Sequence, residues 1–297
     1  MTSETLLLVG REARGAREAF RVHADRLADR TGIDVEIACY AEEPGRELRD
    51  RFRDVDADVT YAVPMCAAHG YDTVDAIPAA LSAIPGDVRY CDPVGTSPAV
   101  TDVIAARADA ADRGAAAGNA DVSLVLVAFG SSSKPHGRRM AEYHADRLRS
   151  RSEYAEVVPC YLLQNPAVEC VRYAVTGDRI VAVPLFVNRS AATEDRIPTE
   201  LELDRGGIAY AKPFGDHPRL TDAIHAEVEK QRALATGDHD GETGDEPAEE
   251  SVASPLDRSS TPKRAIVTDG EGARESSGTP NASRPEDASR SRNDDPR

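Results

Sequence analysis

Cys66, His69, Asp72 and Asp75 follow one another at three-residue intervals, and all four are types that bind metals or move protons. On a helix or a helix-like turn that spacing sets side chains on one side of the backbone. A thiolate, an imidazole and a carboxylate together suit Co2+, Fe2+ or Zn2+. A neutral imidazole or a carboxylate can also accept a proton. The plainer alternative is that Cys66 packs as a small hydrophobe and Asp75 caps a helix. A second group is basic: Arg11, Arg14, Lys134, His136, Arg138, Arg139 and Arg189 all fall at or just after apolar runs. Arginine forks pair carboxylates through two parallel hydrogen bonds. His23 and His144 lie inside helix-like segments and are read as packing residues.

These side chains need a scaffold, and the chain writes one twice, about 120 residues apart. His23-Ala24-Asp25-Arg26-Leu27 recurs as His144-Ala145-Asp146-Arg147-Leu148, and Cys39-Tyr40 as Cys160-Tyr161. Ala62-Val63-Pro64 recurs as Ala182-Val183-Pro184, and Ile77-Pro78 as Ile197-Pro198. Pro93-x-Gly95-x-x-Pro98-x-x-Thr101-Asp102 recurs from Pro213 to Asp222. A period of this length is a small domain rather than a solenoid unit. Within each copy, short apolar runs such as Leu6–Val9, closed by Gly10, read as buried parallel strands. They alternate with helix-patterned segments, so each copy is expected to be a four-stranded parallel sheet with helices on both faces. Ligands of such sheets bind beyond the carboxyl ends of the strands. Tyr40 and Tyr161 are expected at the same strand end of each copy. The expected division is residues 1–107, a linker at 108–120, a second copy at 121–234, and a disordered acidic tail at 235–297.

Composition limits the partners. The 297 residues carry a formal net charge of -16, and lysine occurs only at positions 134, 212, 230 and 263. An acidic, lysine-poor surface is that of a halophilic protein, where salt screens the carboxylate repulsion. Nucleic-acid binding is not expected, because phosphate contacts need clustered cations. No apolar run approaches the ~20 residues of a membrane span. The five cysteines lack CxxC spacing, which argues against a disulfide framework or a tetrathiolate zinc site. With no basic leader at the start, a cytoplasmic location is expected.

Taken together, several of these segments resemble one family. They are Gly130-Ser131 after a strand, Val183-Pro184-Leu185-Phe186, Glu194-Asp195-x-Ile197-Pro198, and the late Pro-x-Gly-x-x-Pro segments. As a set they are similar to the class II tetrapyrrole chelatases, above all the sirohydrochlorin cobaltochelatases and ferrochelatases. The resemblance covers about residues 4–233. It implies an α/β fold of two tandem chelatase-like (flavodoxin-like) domains. It also implies insertion of a divalent metal substrate, Co2+ with Fe2+ or Ni2+ as alternatives, into a tetrapyrrole of cobalamin or sirohaem synthesis. Partner enzymes of cobalamin synthesis would follow. That family acts through two histidines, one just after the first strand and one before the Asp-Ile-Pro helix. Those positions are Arg11 and Asp72 in the first copy, and Phe129 and Ala192 in the second. The expectation is therefore a relocated site. His69 and Asp72 act as catalytic residues, His69, Asp72 and Cys66 as metal ligands, and Arg11, Arg189, Lys134 and Tyr40 as the substrate-binding set.

Two other readings stay open. One is a non-catalytic chelatase relative that carries metal or tetrapyrrole, which the replaced histidines favour. The other is a flavodoxin-like protein for a flavin or another small ligand. Against the latter, no GxGxxG or Walker loop follows any strand, so neither nucleotide nor flavin is expected.

Overall fold

Apolar runs bounded by glycine, proline or charge become the strands of two parallel sheets in the computed structural model, which describes residues 2–112 and 121–239. The first half contains β1 (Glu4–Arg11), α1 (Ala16–Thr31), β2 (Asp34–Tyr40), α2 (Pro44–Phe52), β3 (Val59–Pro64), α3 (Ile77–Leu81), β4 (Asp87–Tyr90) and α4 (Val100–Ala111). The second repeats the order with β5 (Val122–Ala128), α5 (His136–Arg151), β6 (Glu156–Tyr161), α6 (Val171–Ala174), β7 (Arg179–Pro184), α7 (Ile197–Glu200), β8 (Ile208–Tyr210) and α8 (Pro218–His239). Strand order is β2-β1-β3-β4 in one sheet and β6-β5-β7-β8 in the other, all parallel. All seven residues of β5 are buried, as a strand covered on both faces requires.

The chain does not enter α3 through a regular first turn. Asp72–Ala76 forms a π-turn leading into α3, and Ala192–Arg196 does the same before α7. The Ile77 N–H donates five residues back to the Asp72 carbonyl. Pro78 has no N–H to continue that ladder. The carbonyl it would have used, on Thr73, instead accepts the Tyr90 hydroxyl at 2.8 Å, and Tyr210 does the same for Thr193 at 3.0 Å. Such wide turns recur at functional sites, and this one carries Asp72.

The last helix of each repeat crosses to the other half. α4 packs on β7, β8 and α5, while α8 packs on α1 and β3. Val100, Val103 and Ile104 of α4 accordingly share one apolar core with Leu124, Leu126 and Val183 of the second half. α4 runs on past 107 to Ala111 and α8 past 234 to His239, so both expected boundaries fall inside helices. Residues 113–120 of the expected linker, and the expected tail from 240 onward, lie outside the described residues.

The two longest repeated motifs hold this exchange together. Buried His23 in α1 uses both ring nitrogens on the second half: Nε2 donates to the Gly215 carbonyl at 2.9 Å, and Nδ1 lies 2.8 Å from the Thr221 hydroxyl. His144 in α5 mirrors it on the first half, with Gly95 at 2.8 Å and Thr101 at 2.9 Å. A carbonyl can only accept, so the Nε2–H tautomer is set and Nδ1 accepts from the threonine. Burial lowers both imidazole pKa values, that of His144 to about 4, so both rings are neutral. Arg30–Asp222 at 2.8 Å and Arg219–Asp102 at 2.9 Å add the same exchange at the surface.

Candidate functional site

The carboxyl ends of β1, β2 and β3 bring four polar side chains of the first half together. Arg11 closes β1, and its Nη2 donates to Asp72 Oδ2 at 3.1 Å. Tyr40 closes β2 beside Arg11, and its hydroxyl donates to the same oxygen at 3.0 Å. Cys66 follows β3, and its thiol donates to the Ala68 carbonyl at 3.5 Å. Burial and then the Asp72 charge raise the Tyr40 pKa, and the same two causes push the Cys66 thiol up to about 12. Tyr40 is therefore a donor and Cys66 a neutral thiol. Burial works against the Arg11 charge, but the Asp72 carboxylate outweighs it and its pKa rises.

The same positions in the second half are apolar. Val9 pairs with Pro64 and Val127 with Pro184, so Arg11 and Phe129, each two residues further on, are equivalent. Arg11 pairs with Tyr40, but Tyr161 pairs with Ala128, one residue before Phe129. The repeated Cys-Tyr dipeptide is thus out of register by one. A single-residue slip turns a side chain to the opposite face of a sheet. Tyr40 packs toward α2 and α3, while Tyr161 packs in the core shared with α5. Both tyrosines do end the same strand of their copy, as expected, but in different register, and the residue that matches Tyr40 in register is Leu162. Ala192 stands at the Asp72 position, and Phe186 at that of Cys66. The Phe129 and Phe186 rings meet edge to face at 6.5 Å.

A cleft lies between the two walls. One lobe, of about 350 Å3, has Arg11, Tyr40, Cys66 and Asp72 on one side and Phe186, Asn188 and Arg189 on the other. A second lobe, of about 470 Å3, shares Ala67, Ala68, Gly70, Tyr71 and Phe186 with the first and adds His69, Phe129, Lys134 and Leu163. Tyr71, Phe129 and Leu163 are all exposed. Lys134 Nζ lies 5.3 Å from the centre of the Tyr71 ring. Arg189 and Arg14 approach the two oxygens of Glu194 at 3.8 and 3.7 Å. The cleft is of small-ligand size, with an aromatic floor and a cationic rim.

Comparison with known proteins gives this architecture a family. The CbiX family model matches residues 5–111 and again residues 123–231, which together are well over half of the chain. The chain belongs to the CbiX family. It is similar to a Halobacterium salinarum protein named "Probable sirohydrochlorin cobaltochelatase", 27% identical over 263 residues, with 74% of this chain and 89% of that one covered. Among solved structures it is similar to a multi-domain Deinococcus radiodurans protein with structural similarity to chelatases and two additional domains. The TM-score there is 0.66 and the identity 24%, over 78% of this chain and 56% of that one. The chain thus spans little more than half of that relative. It is also similar to SirB from Bacillus subtilis with Fe3+, at TM-score 0.61 and 20% identity, over 79% of this chain and 98% of that one.

Within this CbiX fold, the two positions where the resemblance places histidines, here Arg11 and Asp72, do meet, but as an ion pair. The expected ligand set of Cys66, His69 and Asp72 does not form, and among the described residues no three His, Cys, Asp or Glu side chains are grouped to hold an ion. The reason is local. Residues 66–70 are not helical, so three-residue spacing does not align them, and the π-turn starts only at Asp72. Asp72 is engaged by Arg11 and Tyr40, and the Cys66 thiol stays protonated. His69 turns to the other lobe. Its Nε2 faces Asp92 Oδ1 at 3.6 Å, and its ring centre lies 5.7 Å from that of His136. Of the expected substrate-binding set, Arg11, Arg189 and Tyr40 line the first lobe and Lys134 the second.

Sequence reasoning missed two features. The apolar wall gave no signal, since phenylalanine after a strand reads as core. His136 was grouped with the basic residues; nothing in the sequence links it to His69, because only packing between halves brings them together.

Proposed function

We propose that this CbiX chain inserts a divalent metal ion into sirohydrochlorin held in the cleft, with Co2+ the first substrate metal to test and Fe2+ or Ni2+ the alternatives. The observation that carries this is the pairing of a charged wall with an aromatic one across a cleft of ligand size. A flat macrocycle lies against Phe129, Phe186 and Tyr71, where ring faces and edges attract. Its carboxylates reach Arg189, Arg14 and Lys134 on the rim. As the metal–nitrogen bonds form, two pyrrole N–H protons must leave. Asp72 is the carboxylate in the cleft that accepts them one after the other and passes each to water before the next; Arg11 and the Tyr40 hydroxyl hold it in place. The name borne by the Halobacterium salinarum relative supports the substrate class. The acidic, lysine-poor composition supports work in high salt; a place in the cytoplasm, beside enzymes that supply the tetrapyrrole, belongs to the same proposal.

One observation favours a second reading. An arginine tied to Asp72 where the resemblance calls for two imidazoles fits a chain that carries the macrocycle without metallating it. The experiment is anaerobic incubation of the full chain with sirohydrochlorin and Co2+ in high salt, following the macrocycle's visible absorbance. Turnover above the protein-free rate is expected. A bound-state spectrum with no rate enhancement would overturn insertion and leave the carrier.

A further inference from the structure

We infer that His69 and His136 form a two-imidazole site that receives the divalent metal and holds it at the edge of the aromatic lobe, across the junction of the two halves. The site extends the insertion reading by naming where the ion waits.

His69 is placed by a tight backbone contact. The Gly95 N–H donates to the Cys66 carbonyl at 3.0 Å, and a Cβ on residue 95 would lie 2.3 Å from the Ala67 oxygen. Only glycine allows that approach, so the loop carrying His69 is pressed against the Pro93–Pro98 segment. His136 is the first residue of α5, from the other half. The two rings stand 5.7 Å apart, centre to centre, inclined at 66°. Both line a small cavity with Thr96 and Arg139 beside the aromatic lobe.

The surroundings of His69 suit a ligand. Asp92, anchored by Lys230, faces His69 Nε2 at 3.6 Å. A carboxylate there favours the proton on Nε2 and leaves the lone pair on Nδ1. That Nδ1 is buried and has no hydrogen-bond partner among the described residues. A carboxylate behind one nitrogen and a free lone pair on the other is how metal-ligating histidines are prepared. Two imidazoles suit Co2+ or Fe2+. They leave the remaining coordination positions to water and then to the macrocycle's nitrogens, which an ion that must be passed on requires.

The test uses the full chain and Co2+ alone, anaerobically in high salt, with no tetrapyrrole present. X-ray absorption counts the imidazoles on the bound ion, and competition with a chromophoric chelator gives the affinity. Two imidazoles are expected in the wild type. His69→Ala and His136→Ala should each reduce the count to one and weaken binding about tenfold or more. His136→Gln serves beside the alanine variant, with near-ultraviolet circular dichroism to check folding. His225→Ala, on α8 and outside the cleft, should change nothing. One imidazole or none in the wild type, or unchanged affinity in folded His136 variants, would overturn the site. Failure of the insertion reading is separable: two imidazoles on Co2+ with no turnover of sirohydrochlorin leave the site standing.

Discussion

At four equivalent positions at or beyond the strand ends the first half carries Arg11, Tyr40, Cys66 and Asp72, and the second carries Phe129, Leu162, Phe186 and Ala192. At the seam between the halves the comparison runs the other way, because His23 and His144 make the same two hydrogen bonds to matching residues. The halves are alike where they hold one another and unlike where they face the cleft. A pseudo-symmetric frame thus presents an asymmetric site, with charge on one wall and aromatic surface on the other. A flat polycarboxylate with a reactive centre needs both, and two identical walls would supply only one.

The largest effect should come from making the first wall like the second at its base. Asp72→Ala copies Ala192 and removes the proton acceptor while leaving Arg11 and the Tyr40 hydroxyl without their partner. Insertion should fall about 100-fold or more, the scale of a lost general base. The measurement is kcat for Co2+ insertion; a variant within a factor of a few of wild type would show that the charged wall is not where the chemistry happens.

The likeness at the seam can be broken with acid. Both seam histidines are neutral in the fold, and an unfolded histidine titrates near 6.5. Below that pH the unfolded chain binds protons that the folded chain refuses, so their contribution to stability is complete above pH 6.5 and is lost as pH falls toward 4. For His144, held near 4, the loss amounts to about 3 kcal/mol. His23 acts in the same direction. Urea unfolding at fixed high salt should show the wild type losing more stability between pH 6.5 and 4 than His144→Gln loses. Parallel pH profiles for the two proteins would mean that the ring takes up its proton in the fold as readily as in the unfolded chain.

A smaller effect should follow from writing the first wall into the second. Phe129→Arg copies Arg11 and removes a half-exposed ring from the floor of the cleft. Losing part of one phenylalanine's burial against the macrocycle should raise its KM about tenfold, with kcat less affected. A KM unchanged by this variant would place the macrocycle away from the aromatic lobe.

Much of the frame was legible in the sequence because it is local. Four-residue runs such as Leu6–Val9 ending in glycine, and the Val-Pro strand ends, each report their own burial. The exchange of α4 and α8 between halves was not legible, since an amphipathic helix does not say which sheet it covers. The site was partly legible: Arg11, Tyr40, Asp72, Arg189, Lys134 and His69 do line the cleft. Their grouping was not, because three-residue spacing only aligns side chains where the backbone is already helical. The repeat itself misled at one point, since Cys39-Tyr40 and Cys160-Tyr161 match as letters but not in register.

That mismatch gives the finest test of the comparison. Tyr40 donates its hydroxyl to Asp72, whereas the buried Tyr161 hydroxyl has no hydrogen-bond partner among the described residues. Tyr40→Phe should destabilise the fold by about 1 kcal/mol, the worth of a hydrogen bond to a charged group in a half-open site. Tyr161→Phe removes a hydroxyl already desolvated without return, so it should be neutral or stabilising by up to about 1 kcal/mol. The same substitution on tyrosines that the sequence aligns should therefore act with opposite signs in urea unfolding. Equal losses would mean that Tyr161 reaches an acceptor as Tyr40 does, and that the slip in register does not set the two hydroxyls apart.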